Sequence, residues 1–157
     1  MKKIILLSFM LIGLAFTTQA QDISKNALGL RIGDNSGFGG EVSYQKALSS
    51  NNRLEFDLGW RNSNNIDALK IAGLYQWVWN IDGAFNWYAG VGAGLGSYSA
   101  NNVSGTFAFA AGDIGIEYGF EEAPILISLD FRPEIGGHGY YDNNYGSDIA
   151  LGLRYKF

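Results

Sequence analysis

At 157 residues the chain has room for one ordinary domain. It combines 22 Gly and 15% aromatic residues with only 17% charged ones and a net charge of −4. Two prolines exclude a Pro-rich disordered chain or a collagen, and the lack of cysteine excludes a disulfide scaffold, a thiolate metal site, a Cys nucleophile and a lipid-modified N-terminal cysteine. The acidic balance argues against a nucleic-acid partner, and a mean hydropathy of zero falls between soluble secreted proteins and helical membrane proteins. The chain opens on Lys2 and Lys3, then an apolar stretch over residues 4–16, then a small-x-small site at Thr18, Gln19 and Ala20. This is the design of a secretory signal peptide, so residues 1–20 are expected to be cleaved and residues 21–157 to form the domain. The apolar run, about 13 residues, is too short for a membrane anchor, which needs roughly 20. Without the two lysines, 9 basic and 15 acidic groups remain, a net charge of −6.

From there one grammar repeats: an alternating segment, then a polar break. Leu28, Leu30 and Ile32 alternate with Gly29 and Arg31 before a break at 33–37. Phe38, Val42, Tyr44 and Leu48 alternate with Glu41, Ser43 and Gln45, ending at 49–52. Leu54, Phe56, Leu58 and Trp60 alternate with Glu55, Asp57, Gly59 and Arg61, ending at 62–67. Leu69, Ile71, Tyr75, Trp77 and Trp79 face away from Lys70, Ala72 and Gln76, and residues 80–83 read as a tight hairpin turn. Phe85, Trp87, Ala89, Val91, Ala93 and Leu95 alternate with Asn86, Tyr88 and four glycines before a break at 97–105. Ile114, Ile116, Tyr118 and Phe120 alternate with Asp113, Gly115, Glu117 and Gly119. Phe107 and Phe109 have the opposite parity from Ile114, which predicts a bulge early in that strand. Ile125, Ile127, Leu129 and Phe131 alternate with Ser128, Asp130 and Arg132, a polar loop follows at 133–146, and Ile149, Leu151, Leu153, Tyr155 and Phe157 close the chain. Eight strands of about ten residues are expected, the length a tilted membrane-spanning strand needs.

Alternation alone leaves open which face is inside, because a soluble lipocalin-like barrel would alternate too. Three features favour the apolar face outside. It carries all four tryptophans, too much bulk for an eight-stranded interior. The opposite face is rich in glycine, which suits a cramped lumen better than a wet surface. The large aromatics flank the turns near 80–83 and 121–123 and the C-terminus, as in an interfacial girdle. The expected fold class is therefore all-β: an eight-stranded antiparallel up-and-down transmembrane β-barrel.

The last nine residues, with Ile149, Leu151, Leu153, Tyr155 and terminal Phe157 at alternate positions, resemble the C-terminal β-signal of bacterial outer-membrane proteins. With the signal peptide and eight strands, residues 26–157 resemble the small outer-membrane barrel proteins of the OmpX and OmpA-transmembrane-domain type. That resemblance implies the Gram-negative outer membrane as location, its lipids and lipopolysaccharide as surroundings, and the barrel assembly machinery as reader of the final strand. It implies no single shared activity. An even strand number puts both termini on one side, the periplasmic one. The turns at 49–52, 80–83 and 121–123 then face the periplasm and the other four breaks face outside.

The inward face holds Arg31, Glu41, Glu55, Asp57, Arg61, Lys70, Glu117, Asp130, Arg132, Asp148, Arg154 and Lys156. Arg31 and Glu41 are equidistant from Ser36 and are expected to face each other across one hairpin, with Asp57 and Lys70 near-diagonal across the next. Charges in so narrow a lumen must be paired or hydrated, which favours an ion-pair network filling the barrel over a narrow gated ion path. A wide solute pore needs about sixteen strands. The alternative of another class is a lipid-modifying enzyme centred on His138, the one histidine, with Ser147, Asp148, Glu134 or Asp142 nearby. A Gly-flanked loop histidine is poorly held for catalysis or for binding metal, so no catalytic residue, cofactor or metal is expected. His138, Tyr140, Tyr141 and Tyr145 read instead as surface contacts for an extracellular ligand the sequence does not identify.

Overall fold

The computed structural model describes residues 23–35, 38–63, 66–100, 103–136 and 145–157. Over them run eight strands: β1 (Asn26–Asn35), β2 (Phe38–Ala47), β3 (Asn52–Ser63), β4 (Ile66–Asp82), β5 (Phe85–Ala100), β6 (Val103–Gly119), β7 (Ile125–Gly136) and β8 (Tyr145–Lys156). Each strand pairs antiparallel with its sequence neighbour and β8 returns to β1, so the sheet is a closed up-and-down barrel and every strand has a partner on both sides. Closure is completed at one end, where Asn26 and Phe157 exchange backbone hydrogen bonds of 3.2 and 2.9 Å. That terminal end also carries the turns after β2, β4 and β6. The tightest is at Gly83, whose positive φ of 51° suits glycine, and Asn80 Nδ2 donates to the Gly83 carbonyl at 2.8 Å.

The two faces separate by parity. Leu30, Ile71, Leu95, Leu129 and Leu151 point outward and are exposed, whereas Glu41, Asp57, Asp113 and Arg132 point inward and are buried. The outward aromatics gather toward the terminal end, where Trp79 stacks on Trp87 at 4.4 Å and Tyr118 meets both Phe85 and Phe120.

Two expectations about the strands are corrected. First, β4, β5 and β6 are 17, 16 and 17 residues long, against the ten expected; β3 and β4 together take four residues of the break at 62–67, and β5 and β6 most of that at 97–105. Ser97 pairs with Thr106 and Ser99 with Ser104 in unbroken register. Their polarity reads as loop, but the backbone ladder continues past the apolar belt regardless of side chain. Second, the sixth strand has no bulge: its register with β5 holds from Phe85↔Tyr118 to Ala100↔Val103. Phe107 and Phe109 turn into the barrel because β5 offers hollows for them. A Cβ on Gly96 or Gly94 would collide with the ring of Phe107 or Phe109 respectively.

Candidate functional site in the barrel lumen

The interior is ionic, and parity alone brings its members inside. Arg31 on β1 lies in register with Glu41 on β2, and its Nη1 donates to Glu41 Oε2 at 3.0 Å. The same guanidinium reaches Asp148 on β8 at 2.5 Å and donates to Asp130 on β7 from Nε at 3.0 Å and from Nη2. Arg132 lies at the centre with no exposure. Its nitrogens lie 2.7 Å from Asp57, 2.8 Å from Glu55, 3.5 Å from Glu41 and 4.0 Å from Asp113. The Asp57 contact is one of charge, since neither carboxylate oxygen lies in an aligned hydrogen bond. Arg154 meets Glu55 at 3.2 Å and donates to the hydroxyls of Ser43 and Ser128 at 3.0 and 2.8 Å.

Asp57 and Lys70 are diagonal neighbours in the β3–β4 register, with Asp57 opposite Ala72 and Lys70 opposite Gly59. Their ion pairs run elsewhere: Asp57 to Arg132, and Lys70 to Glu41 at 3.2 Å and Glu134 at 3.0 Å. Glu41 is thus shared by Arg31, Lys70 and Arg132, and Glu55 by Arg132 and Arg154. Toward the terminal end Arg53 donates to Glu117 at 2.6 Å and to Gln76 at 2.5 Å, and it lies 4.7 Å over the Tyr88 ring. Lys156, at the rim, donates to the Phe120 carbonyl at 2.7 Å. The loop-end side of β4–β6 is closed by hydrocarbon instead: Phe109, Ala72, Leu74 and Ala111 cluster there with Phe107 against them. The Lys70 ammonium sits 5.4 Å from the Phe109 ring centre, where the two regions meet.

Three members of this network, Arg53, Asp113 and Glu134, are absent from the inward set read from the sequence. Arg53 borders a polar break and Glu134 follows Pro133, so both pass for turn residues. Parity would have found them, since Arg53 shares the face of Glu55, and Glu134 that of Arg132. Asp148 and Glu134, considered as partners for His138, are engaged with Arg31 and Lys70. His138, Tyr140 and Tyr141 lie outside the described residues, as does Asp142. Tyr145, 74% exposed, opens β8 opposite Ile135. Ile149, Leu151, Leu153 and Tyr155 face outward along the seam strand, and Phe157 is exposed at its end. Among the described residues no group of three or more His, Asp or Glu is arranged to hold a metal ion.

No family model matches the chain, and no curated protein does. Solved structures do match its fold. Neisserial surface protein A superposes with a TM-score of 0.60 at 15% identity, over 84% of this chain and 94% of that one. The N-terminal β-barrel domain of Pseudomonas aeruginosa OprF gives 0.59 at 12% identity, over 85% and 100%. Ail, the attachment invasion locus protein of Yersinia pestis, gives 0.55 at 15% identity, over 85% and 97%. The chain has the fold of the small eight-stranded outer-membrane β-barrels.

Proposed function

We propose that the protein is an integral outer-membrane barrel with a non-enzymatic structural or surface-contact role, its lumen closed by ion pairs rather than open as a pore. One observation carries this reading: the wall is apolar outward while Arg31, Arg132 and Arg154 are at most 1% exposed inside it. In water such a belt would be an apolar patch far larger than soluble proteins carry, and in lipid it is what the barrel needs. Residues 1–20 as a secretory signal, and Ile149 to Phe157 as the strand read by the assembly machinery, fit the same location, with both termini periplasmic. The neisserial neighbour is described as a surface protein and the Yersinia one as an attachment protein. A contact role for the outer loops, Tyr145 at the base of one of them, is drawn from that likeness. The surroundings would be outer-membrane lipids and lipopolysaccharide.

The test is paired. Cell fractionation with gels of boiled and unboiled samples should find the chain in the outer membrane with a heat-dependent mobility. Recovery from the soluble periplasm with no mobility shift would remove the membrane reading. Reconstitution in planar bilayers should give no steady conductance; a persistent ion current through the wild-type barrel would replace the closed lumen with the narrow ion path.

A further inference from the structure

The outward face of β3–β6 changes character over three successive cross-strand rows. Leu58, Ile71, Leu95 and Ala108 form an apolar row in register. The next row toward the loop end is mixed: Trp60 and Leu69 remain apolar while Ser97 and Thr106 carry hydroxyls. The third, Asn62, Asp67, Ser99 and Ser104, is wholly polar and exposed, with Asn62 donating to Asp67 at 2.7 Å. A groove of about 650 Å³ crosses the first two rows, walled by Leu69, Ile71 and Leu95, floored by Gly96 and Ala108, and topped by Ser97 and Thr106.

We propose that this groove is a lipid site, taking one acyl chain of a lipid whose uncharged, hydroxyl-bearing headgroup lies on the Asn62–Asp67–Ser99–Ser104 shelf. The inference rests on the membrane reading above. The apolar lower part matches a hydrocarbon chain, and the ring of amide and hydroxyl groups above it matches sugar or glycerol hydroxyls. Among the described residues the two upper rows carry no Lys or Arg, and Asp67 adds a negative charge, so a bare phosphate headgroup has no counter-ion there. A second copy of the barrel is a poorer occupant: an isologous contact would set groove against groove and leave both unfilled.

The refolded full chain is placed in phosphatidylcholine vesicles doped with a galactosyl diacylglycerol, or with phosphatidylglycerol, each bearing the same diazirine on its acyl chain. Photolabelling should concentrate on residues 95–97 and 106–108, with the galactosyl probe favoured about three- to tenfold, the worth of one net hydrogen bond. Ala108→Phe, pointing outward into the groove, should abolish the concentration of label. Ser99→Ala with Ser104→Ala should remove the headgroup preference and spare chain labelling. Label spread evenly around the belt, Leu151 and Leu153 included, overturns the site while leaving the membrane reading standing. So does an undiminished pattern in Ala108→Phe, once its unboiled mobility shows it folded. Cross-linked dimers through these strands would assign the face to a second copy. An absence of label anywhere, with no heat-dependent mobility, removes the membrane reading and the site together.

Discussion

Arg132 is the point at which a filled lumen and a hydrated one make opposite predictions. Arg132→Met keeps most of the side chain's volume and removes one charge lying within 4.0 Å of four carboxylates. Glu41 and Glu55 retain other cations, Arg31 and Lys70 for the first and Arg154 for the second. Among the described residues Asp57 has no other ion pair, and Asp113 keeps the amide of Gln76 at 2.5 Å. Breaking a buried pair from one side destabilises by about 3–5 kcal/mol. The spare partners of Glu41 and Glu55 argue for about 3 kcal/mol, a change of about a hundredfold in the folded ratio. Urea unfolding of the refolded protein in micelles, followed by tryptophan fluorescence, measures it. The exposed change Lys46→Met serves as control, and Asp57→Asn added to Arg132→Met should restore at least about 1 kcal/mol by removing the stranded charge. If Arg132→Met unfolds within about 1 kcal/mol of wild type, as an exposed ion pair would allow, water already solvates these groups and the closed lumen is wrong.

Gly92→Ala should destabilise by about 1–3 kcal/mol in the same assay, because its new methyl would meet the β4 backbone at Gly73 and Leu74. Gly119→Ala, whose methyl would find its nearest neighbours at 3.6 Å, should stay within about 0.5 kcal/mol, and equal effects would refute the close-approach account. Deleting Phe157 removes two seam hydrogen bonds, so refolding in micelles should weaken by about 1–3 kcal/mol while the amount assembled in cells falls severely. Wild-type assembly in the deletion strain would count against the β-signal. His138→Ala should leave the lipid A profile unchanged by mass spectrometry, and a changed profile would restore the enzymatic reading.

Features set by short-range pairing were legible in the sequence. Arg31 and Glu41 lie in register as their spacing predicts, although a one-residue shift between Ile32 and Asn35 separates that pairing from Asn35↔Phe38, and the inward or outward sense of each strand follows from a period of two. Contacts across the lumen were not legible. Arg132 meets Glu55 at a sequence separation of 77, a meeting set by the barrel's stagger, which alternation does not encode. Strand ends were misread for a related reason. Composition reports where the apolar belt stops, at Leu69 and Leu95, whereas the backbone ladder runs on through Asp67, Ser97 and Ser99. The phenylalanines of β6 look misplaced only while β6 is read alone. Set beside Gly94 and Gly96 of β5, they fit the hollows those glycines leave.

Among the described residues the lumen is filled in two parts, one hydrocarbon and one ionic, which meet at Lys70 and Phe109. On the β4–β6 side Phe109 and Leu74 are buried as hydrocarbon, while toward β7, β8, β1 and β2 the space is taken by Arg31, Arg132 and Arg154. A solute path through the first part needs the phenylalanines to leave their glycine hollows. A path through the second needs shared carboxylates to give up two or three cations together, because Glu41 and Glu55 each bridge several arginines or lysines. Sharing raises the cost of opening any one pair, since the anion it exposes is needed by the others. Such an interior favours a rigid plug over a gate. Under the proposed surface-contact role, a rigid plug leaves recognition to the outer surfaces: the loop end above Tyr145, and the lengthened β4–β6 wall where the apolar belt gives way to hydroxyls.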